Sequence, residues 1–271
     1  MIACRPAGAP ATPTSPTSPA PLPAPVSEDG CEPLPPPEPG DWLASFHEDG
    51  QTFDQYVRDC ANRRSSTRTT LYLQPMGEHD ERYRKAVADL RDYCEIFFGV
   101  PCKLLDPIPL PDHCLIMPRR QYNATMLIGQ LEERLPKDAL ALAGVANRDL
   151  FSKGLNFVFG EGSLRNRCGV YSLFRYEREP DRFLWRAGQT LTHELGHILG
   201  IQHCIRWKCV MCGANSLVES DRHPLHLCPE DLRKVQWNTG CDPRERYRRL
   251  AAYYDAHAMP TEAAWCRARL K

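Results

Sequence analysis

The sequence shows no excess of either charge and contains no long apolar run. Its 271 residues include 34 Lys and Arg and 34 Asp and Glu, which gives a formal net charge of zero at pH 7. Nucleic-acid-binding domains commonly carry a basic excess, and a membrane-spanning helix needs about 18 or more mostly apolar residues in a row. We therefore expect neither a nucleic acid nor a membrane as a partner.

The N-terminus also lacks the apolar stretch that a secretory signal peptide needs behind its charged start. Residues 1–6 lead instead into a run of prolines, alanines, serines and threonines. This absence predicts an intracellular protein, either cytoplasmic or nuclear. In such a reducing compartment, the 13 cysteines are expected to be thiols or metal ligands and not a disulfide framework.

The prolines are concentrated near the N-terminus, where residues 1–40 contain 13 of the 25. A segment of this composition has too little apolar surface to offset the entropy that ordering the chain would cost. We predict that residues 1–45 form a disordered Pro-rich tail. Residues 46–271 are then expected to form one domain.

Beyond residue 68, hydrophobic patterning predicts alternating strands and helices. The predicted strands cover residues 69–75, 102–105, 140–146, 156–160 and 168–174, and the predicted helices cover residues 80–98, 123–135 and 182–199. Strands that alternate with helices favour an α/β layer with crossover connections. The C-terminal tail from residue 242 is rich in Arg and Tyr and is predicted to be helical.

The helix predicted at 182–199 carries His193 and His197, which are four positions apart. Residues at i and i+4 share one helix face, so both imidazoles are within reach of one metal ion. Gly200 follows where the helix must end, and it allows the chain to turn so that His203 can return as a third ligand. Three protein ligands leave a fourth position open for water, which is the arrangement of a catalytic zinc.

Glu194 follows the first of these histidines directly. Zinc lowers the pKa of a bound water to about 7 and polarises the carbonyl that is attacked. A glutamate at this place in an HExxH helix is suited to accept the proton of the water. We predict that Glu194 is the general base.

The stretch that begins at His193 resembles the archaemetzincins, which are metzincin-type zinc metallopeptidases classified as peptidase family M54. The metzincin pattern HExxHxxGxxH is followed by a methionine in a Met-turn, and Met211 stands eight residues after His203. The resemblance implies an α/β fold: a compact metzincin-like zincin domain with a mixed sheet, an active-site helix and a Met-turn.

The resemblance also implies a second, structural zinc bound by four cysteines. Cys204, Cys209 and Cys228 match the family pattern at three of the four positions. The fourth position is occupied by Asp231, whose carboxylate is itself an accepted zinc ligand. Cys212 is close in sequence and is the other candidate, so both alternatives stay open.

Together these patterns predict a monomeric zinc metallopeptidase that hydrolyses a peptide or protein substrate. Two other classes are compatible with the sequence. One is a zinc-binding interaction protein with weak or lapsed peptidase activity, and the other is a secreted metzincin with disulfides and a pro-segment. His223 and His226 could line a substrate cleft, but a surface loop is the favoured interpretation for both.

Overall fold

The computed structural model describes residues 30–78, 80–176 and 180–271. Its strands are β1 (Thr70–Met76), β2 (Cys102–Leu104), β3 (Leu115–Ile116), β4 (Gln121–Asn123), β5 (Ala139–Ala146), β6 (Leu150–Phe151), β7 (Gly160–Ser163) and β8 (Cys168–Ser172). Its helices are α1 (Trp42–Ser45), α2 (Phe53–Asp59), α3 (Glu81–Phe98), α4 (Ala124–Glu132), α5 (Phe183–Ile198), α6 (Leu217–Ser220), α7 (Pro229–Thr239), α8 (Pro243–Ala256) and α9 (Pro260–Ala268).

A five-stranded mixed sheet with the strand order β2-β1-β5-β8-β7 forms the centre of the fold. Strands β1, β2, β5 and β8 are parallel, whereas β7 lies at the edge and runs antiparallel to β8. A smaller sheet contains β3, β4 and β6. This topology confirms the predicted α/β class, because parallel neighbours require crossover connections such as the one through α3.

Helices cover both faces of the larger sheet. Along β1, Leu71 and Leu73 join the core that contains α3 and α5, whereas Tyr72 and Met76 join the core that contains α4. Successive side chains of a strand point to opposite faces, so one strand contributes to both cores. All residues of β5 are buried, as expected for an inner strand of a parallel sheet.

The strand predicted at 156–160 is wrong. Residues 156–159 form a loop with a single bridge from Val158 to Leu150, and the edge strand begins only at Gly160. The apolar residues of this loop are in the core because Phe159 stacks on Tyr176, with ring centroids 5.7 Å apart. Hydrophobicity therefore indicated burial here and not strand pairing.

Part of the predicted N-terminal tail packs against the domain. Residues 1–29 lie outside the described residues. Within residues 30–45, the backbone amide of Leu34 donates to the carbonyl of Arg206 at 2.9 Å, and Trp42 is buried. These contacts link segments far apart in the sequence, so the local composition does not reveal them.

The chain ends in helices α8 and α9, which confirms the predicted helical tail. Trp265 of α9 stacks on His226 with ring centroids 3.7 Å apart, so the last helix contacts the loop that precedes α7. Among the helices of the described residues, none has the combination of length and hydropathy that crossing a membrane requires.

Candidate metal centres

Helix α5 carries the histidine motif through the interior of the domain. Every residue from Ala187 to Gly196 is buried, and the apolar residues of the helix belong to the core shared with α3 and the sheet. The helix ends at Ile198, and Gly200 has a φ of 89°. This left-handed conformation favours glycine, and it turns the chain towards His203 as the sequence predicts.

Three histidine rings converge at this end of α5. One nitrogen each of His193, His197 and His203 lies within 4.8 Å of the other two. The ring centroids are 4.4, 5.3 and 4.9 Å apart for the three pairs. The structure therefore brings together the three side chains that the sequence predicts as ligands of one metal ion.

The hydrogen bonds of the two helix histidines determine where their lone pairs point. Nδ1 of His193 lies 2.8 Å from the carbonyl oxygen of Val210, and Nδ1 of His197 lies 2.7 Å from that of Ile201. A carbonyl only accepts, so each Nδ1 carries the proton. Burial lowers the pKa of His193 to about 3 and also lowers the pKa of His197 well below its ordinary value, so both rings are neutral.

It follows that both Nε2 atoms carry lone pairs and no proton. These two atoms nevertheless face each other at 2.8 Å, an arrangement in which neither nitrogen can donate. A third nitrogen lies at the same place, because the buried Nε2 of His203 has no hydrogen-bond partner among the described residues. Three imidazole nitrogens that converge in this way fit a zinc ion, which binds imidazole at about 2.0–2.1 Å.

His203 is held from behind by Glu48. Its Nδ1 lies 2.8 and 3.0 Å from the two carboxylate oxygens, and one of these oxygens also accepts a hydrogen bond from the indole of Trp42 at 2.9 Å. Burial alone would raise the pKa of Glu48, but the hydrogen bonds that it accepts from His203 and Trp42 hold that pKa below its usual value. Sequence reasoning missed this residue.

Glu194 is 1% exposed and packs against the edge strand β7 near Gly160. Met211 is fully buried, and its sulfur packs closely against Gly196 of α5. This position agrees with the Met-turn that the sequence predicts. The residue before the methionine, Val210, supplies the carbonyl that binds His193.

A second cluster lies directly beyond the third histidine. The ligand atoms of Cys204, Cys209, Cys228 and Asp231 are all within 4.8 Å of one another. The sulfurs of Cys204 and Cys228 are 3.8 Å apart, and Oδ2 of Asp231 lies 3.3 Å from Sγ of Cys209 and 3.4 Å from that of Cys228. Three sulfurs and one carboxylate oxygen are a donor set that zinc accepts.

Backbone amides point at these sulfurs. The amide of Cys228 donates to Sγ of Cys209 at 3.2 Å, and the amide of Asp231 donates to Sγ of Cys228 at 3.4 Å. Hydrogen bonds of this kind favour the ionised form of a metal ligand and fix its direction. The local backbone therefore donates hydrogen bonds to two of the three sulfurs of the cluster.

The two candidates for the fourth position of this cluster differ in their surroundings. Asp231 directs Oδ2 at the cysteines, and its Oδ1 accepts a hydrogen bond at 2.8 Å from the buried ammonium of Lys234. Burial raises the pKa of Asp231 to about 6, and the charge of Lys234 opposes that rise. Cys212 instead donates to the carbonyl of Trp207 at 3.2 Å, and it is not part of the four-residue cluster.

The two weaker histidine candidates lie in the loop between α6 and α7. His223 is 9% exposed and its carbonyl accepts a hydrogen bond from Gln189 of α5. His226 is covered by Trp265. The surface-loop interpretation is therefore wrong for His223, which is buried, whereas for His226, which is partly buried, it stays a prediction.

A family profile and several curated proteins match this chain. The profile of peptidase family M54 matches residues 98–237. Archaemetzincin-2 of Pongo abelii is 31% identical in an alignment of 273 positions, which covers 83% of this chain and 75% of the relative. Archaemetzincin of Archaeoglobus fulgidus is 32% identical over 168 residues, which cover 62% of this chain and 99% of the relative.

Two solved archaeal structures have a similar fold. Archaemetzincin of Archaeoglobus fulgidus, solved with malonate, is 31% identical with a TM-score of 0.54, and the match covers 61% of this chain and 99% of the solved chain. Archaemetzincin of Methanopyrus kandleri is 29% identical with a TM-score of 0.56, and the match covers 65% of this chain and 98% of the solved chain. A large part of this chain therefore has no counterpart in either archaeal structure.

Proposed function

This chain belongs to peptidase family M54, the archaemetzincins, and is a zinc metallopeptidase; on that premise we propose which of its residues carry out the hydrolysis. His193, His197 and His203 hold the catalytic zinc, and Glu194 is the general base. The substrates of the family are peptides or proteins.

The proposal depends mainly on the orientation of the His193 and His197 rings. The Nε2 atoms of His193 and His197 face each other at 2.8 Å while their Nδ1 atoms bind backbone carbonyls. Two buried neutral rings in this orientation repel each other unless a cation lies between their lone pairs. The buried and unpartnered Nε2 of His203 supports the same location for the ion.

When bound there, zinc supplies Lewis acidity that polarises a peptide carbonyl and lowers the pKa of water to about 7. The protein contributes the rigidity of the site. The carbonyls of Val210 and Ile201 and the carboxylate of Glu48 each fix one imidazole in the tautomer whose Nε2 is free to bind a metal. Three protein ligands leave a position for the substrate or water.

Glu194 performs the proton transfer. It directly follows the ligand His193 on α5, and its side chain packs against Gly160 of β7. The carboxylate accepts a proton from the attacking water, which makes that water a stronger nucleophile. Because Glu194 is almost completely buried against β7, its position is fixed before the substrate arrives.

The proposal includes a second, structural zinc bound by Cys204, Cys209, Cys228 and Asp231. Their mutual distances support this set, and the hydrogen bond of Cys212 to a backbone carbonyl favours Asp231 as the fourth ligand. Cys204 follows His203 directly in the chain. A metal at the second cluster would therefore hold the loop that presents the third histidine to the first.

Metal removal and replacement tests the proposed function. Full-length protein is stripped by chelation, and hydrolysis of a mixed peptide library is followed by mass spectrometry before and after re-addition of Zn²⁺ or of Mg²⁺. We expect Zn²⁺ to restore cleavage and Mg²⁺ to fail, because Mg²⁺ prefers oxygen ligands and imidazole suits zinc. Equal cleavage by the metal-free protein would contradict the proposal.

A further inference from the structure

The segment between α1 and α2 lies against the back of the histidine cluster. Glu48 in this segment is 25% exposed at its side chain, and the ring of His203 that it contacts is 4% exposed. The family profile matches residues 98–237, so this segment lies outside the matched region. The contact joins residues that are 155 positions apart in the chain.

Gln51 fastens the same segment to the turn that precedes His203. Its side-chain amide donates to the carbonyl of Gly200 at 3.1 Å, and its side-chain oxygen accepts from the amide of Gln202 at 3.2 Å. Its backbone carbonyl accepts from the ammonium of Lys234 at 2.8 Å. Gln51 thus anchors the segment three residues after Glu48, and the indole of Trp42 binds Glu48 itself, so the carboxylate is held in place and is not a mobile surface group.

The contact of His203 differs from those of the other two histidines in its hydrogen-bond acceptor. Nδ1 of His203 donates to a carboxylate, whereas the Nδ1 atoms of His193 and His197 donate to neutral carbonyls. A carboxylate partner fixes the tautomer, orients the ring and raises the basicity of the other nitrogen. Among the three rings, His203 comes from a loop and not from α5, so it has the greatest need of an external partner.

We propose that Glu48 is a positioning residue that orients His203 and strengthens its bond to zinc, and that the segment before α2 is therefore part of the metal centre. This inference rests on the proposed function, since it requires His203 to be a zinc ligand. Residues close to the N-terminus then determine how tightly this chain holds its catalytic metal.

Zinc affinity of the full-length protein tests the inference. Purified protein is equilibrated with buffers of fixed free Zn²⁺, and the bound metal is counted. The equivalent that His193→Ala fails to bind is assigned to the histidine site. We expect Glu48→Ala to weaken zinc binding at this site by about 10–100-fold, the usual effect of losing such an outer partner. Glu48→Gln should lie between Ala and wild type, because its amide oxygen can still accept from Nδ1 but carries no charge.

A control variant separates the contact with His203 from a general loss of charge in this segment. Asp49→Asn removes an exposed carboxylate in the same segment and should leave the affinity unchanged. We also expect Glu48→Ala, but not Asp49→Asn, to change the visible absorption of the Co²⁺-substituted protein, since that spectrum reports the ligand geometry.

The zinc affinities of these variants decide whether Glu48 positions His203. An effect of Glu48→Ala on the zinc affinity of less than about twofold, well below the expected range, would overturn the inference, and so would an equal loss of affinity in Asp49→Asn. If wild-type protein binds no zinc that depends on His193, the proposed function has failed and the inference falls with it. If that zinc is present and indifferent to Glu48, the inference alone has failed.

Discussion

Gly160 of the edge strand β7 and Glu194 of α5 are in such close contact that no side chain fits between them. A Cβ atom added to Gly160 would lie 2.7 Å from Cγ and 2.8 Å from Oε1 of Glu194. Non-bonded carbon atoms prefer separations of about 3.5–4.0 Å. The glycine therefore determines where the carboxylate of the proposed general base lies.

We predict that Gly160→Ala lowers hydrolysis by about 10–100-fold, because a displacement of about 1 Å at a catalytic group costs a loss of this order. Zinc content should stay at the wild-type value, since Gly160 supplies no ligand. Peptidase assays and metal analysis on the same samples check both expectations.

Gly129→Ala is the matched control. Gly129 lies inside α4, and a Cβ added there meets nothing within 4 Å. This variant should keep full activity and gain about 0.5–1 kcal/mol in unfolding free energy, because alanine stabilises a helix interior relative to glycine. Equal activity losses in the two variants would show that the contact between β7 and Glu194 has no special role.

The second prediction concerns the fourth ligand of the cysteine cluster. Asp231→Ala should weaken binding of the second zinc by more than about 10-fold, since loss of a ligand costs more than loss of an outer partner. Asp231→Cys should strengthen binding, because thiolate is the softer ligand and its negative charge still faces Lys234. Zinc content and melting temperature after mild chelation measure both effects.

Cys212→Ser provides the comparison for this set. If Asp231 is the ligand, this variant changes zinc binding little, because Cys212 is bound to the carbonyl of Trp207. Loss of one zinc in Cys212→Ser, with normal binding in Asp231→Ala, would reverse the assignment. A wild-type stoichiometry of one zinc that is unchanged in Asp231→Cys would rule out a second site altogether.

The third prediction is that His197→Ala removes the catalytic zinc without unfolding the domain. α5 is held by its apolar residues in the core, so its helix does not depend on the metal. Zinc content should fall by one equivalent while the circular dichroism spectrum stays close to that of wild type. His47→Ala, which replaces an exposed histidine, is the control. Simultaneous loss of all zinc and of the fold would show that the two metal centres are not separable.

Elements with strong periodicity could be predicted from the sequence. Helix α3 shows buried residues at helical spacing, among them Tyr83, Leu90 and Phe97, and strand β5 is apolar throughout. The edge strand β7 could not be predicted, because Gly160-Glu161-Gly162-Ser163 has a low strand propensity and owes its pairing to β8.

The metal centres also contain some residues that the sequence could predict and others that it could not. His193 and His197 share one helix, so their spacing alone places them on one face. Glu48 could not be predicted, since its contact with His203 depends on how the chain folds back over 155 positions. Lys234, which pairs with Asp231, was missed although it lies only three residues away, because a lysine on a helix is usually exposed.

The most direct test of the central claim is to measure zinc content and peptide hydrolysis of Glu194→Gln beside wild type. Glutamine preserves the shape of the side chain and cannot accept the proton, and general-base catalysis contributes about 10²–10⁴-fold. We predict that the variant keeps its zinc and loses hydrolysis by a factor in this range. A variant that is fully loaded with zinc and retains more than about a tenth of the wild-type rate, far above what that range allows, would contradict the assignment of Glu194 and with it the account of this site.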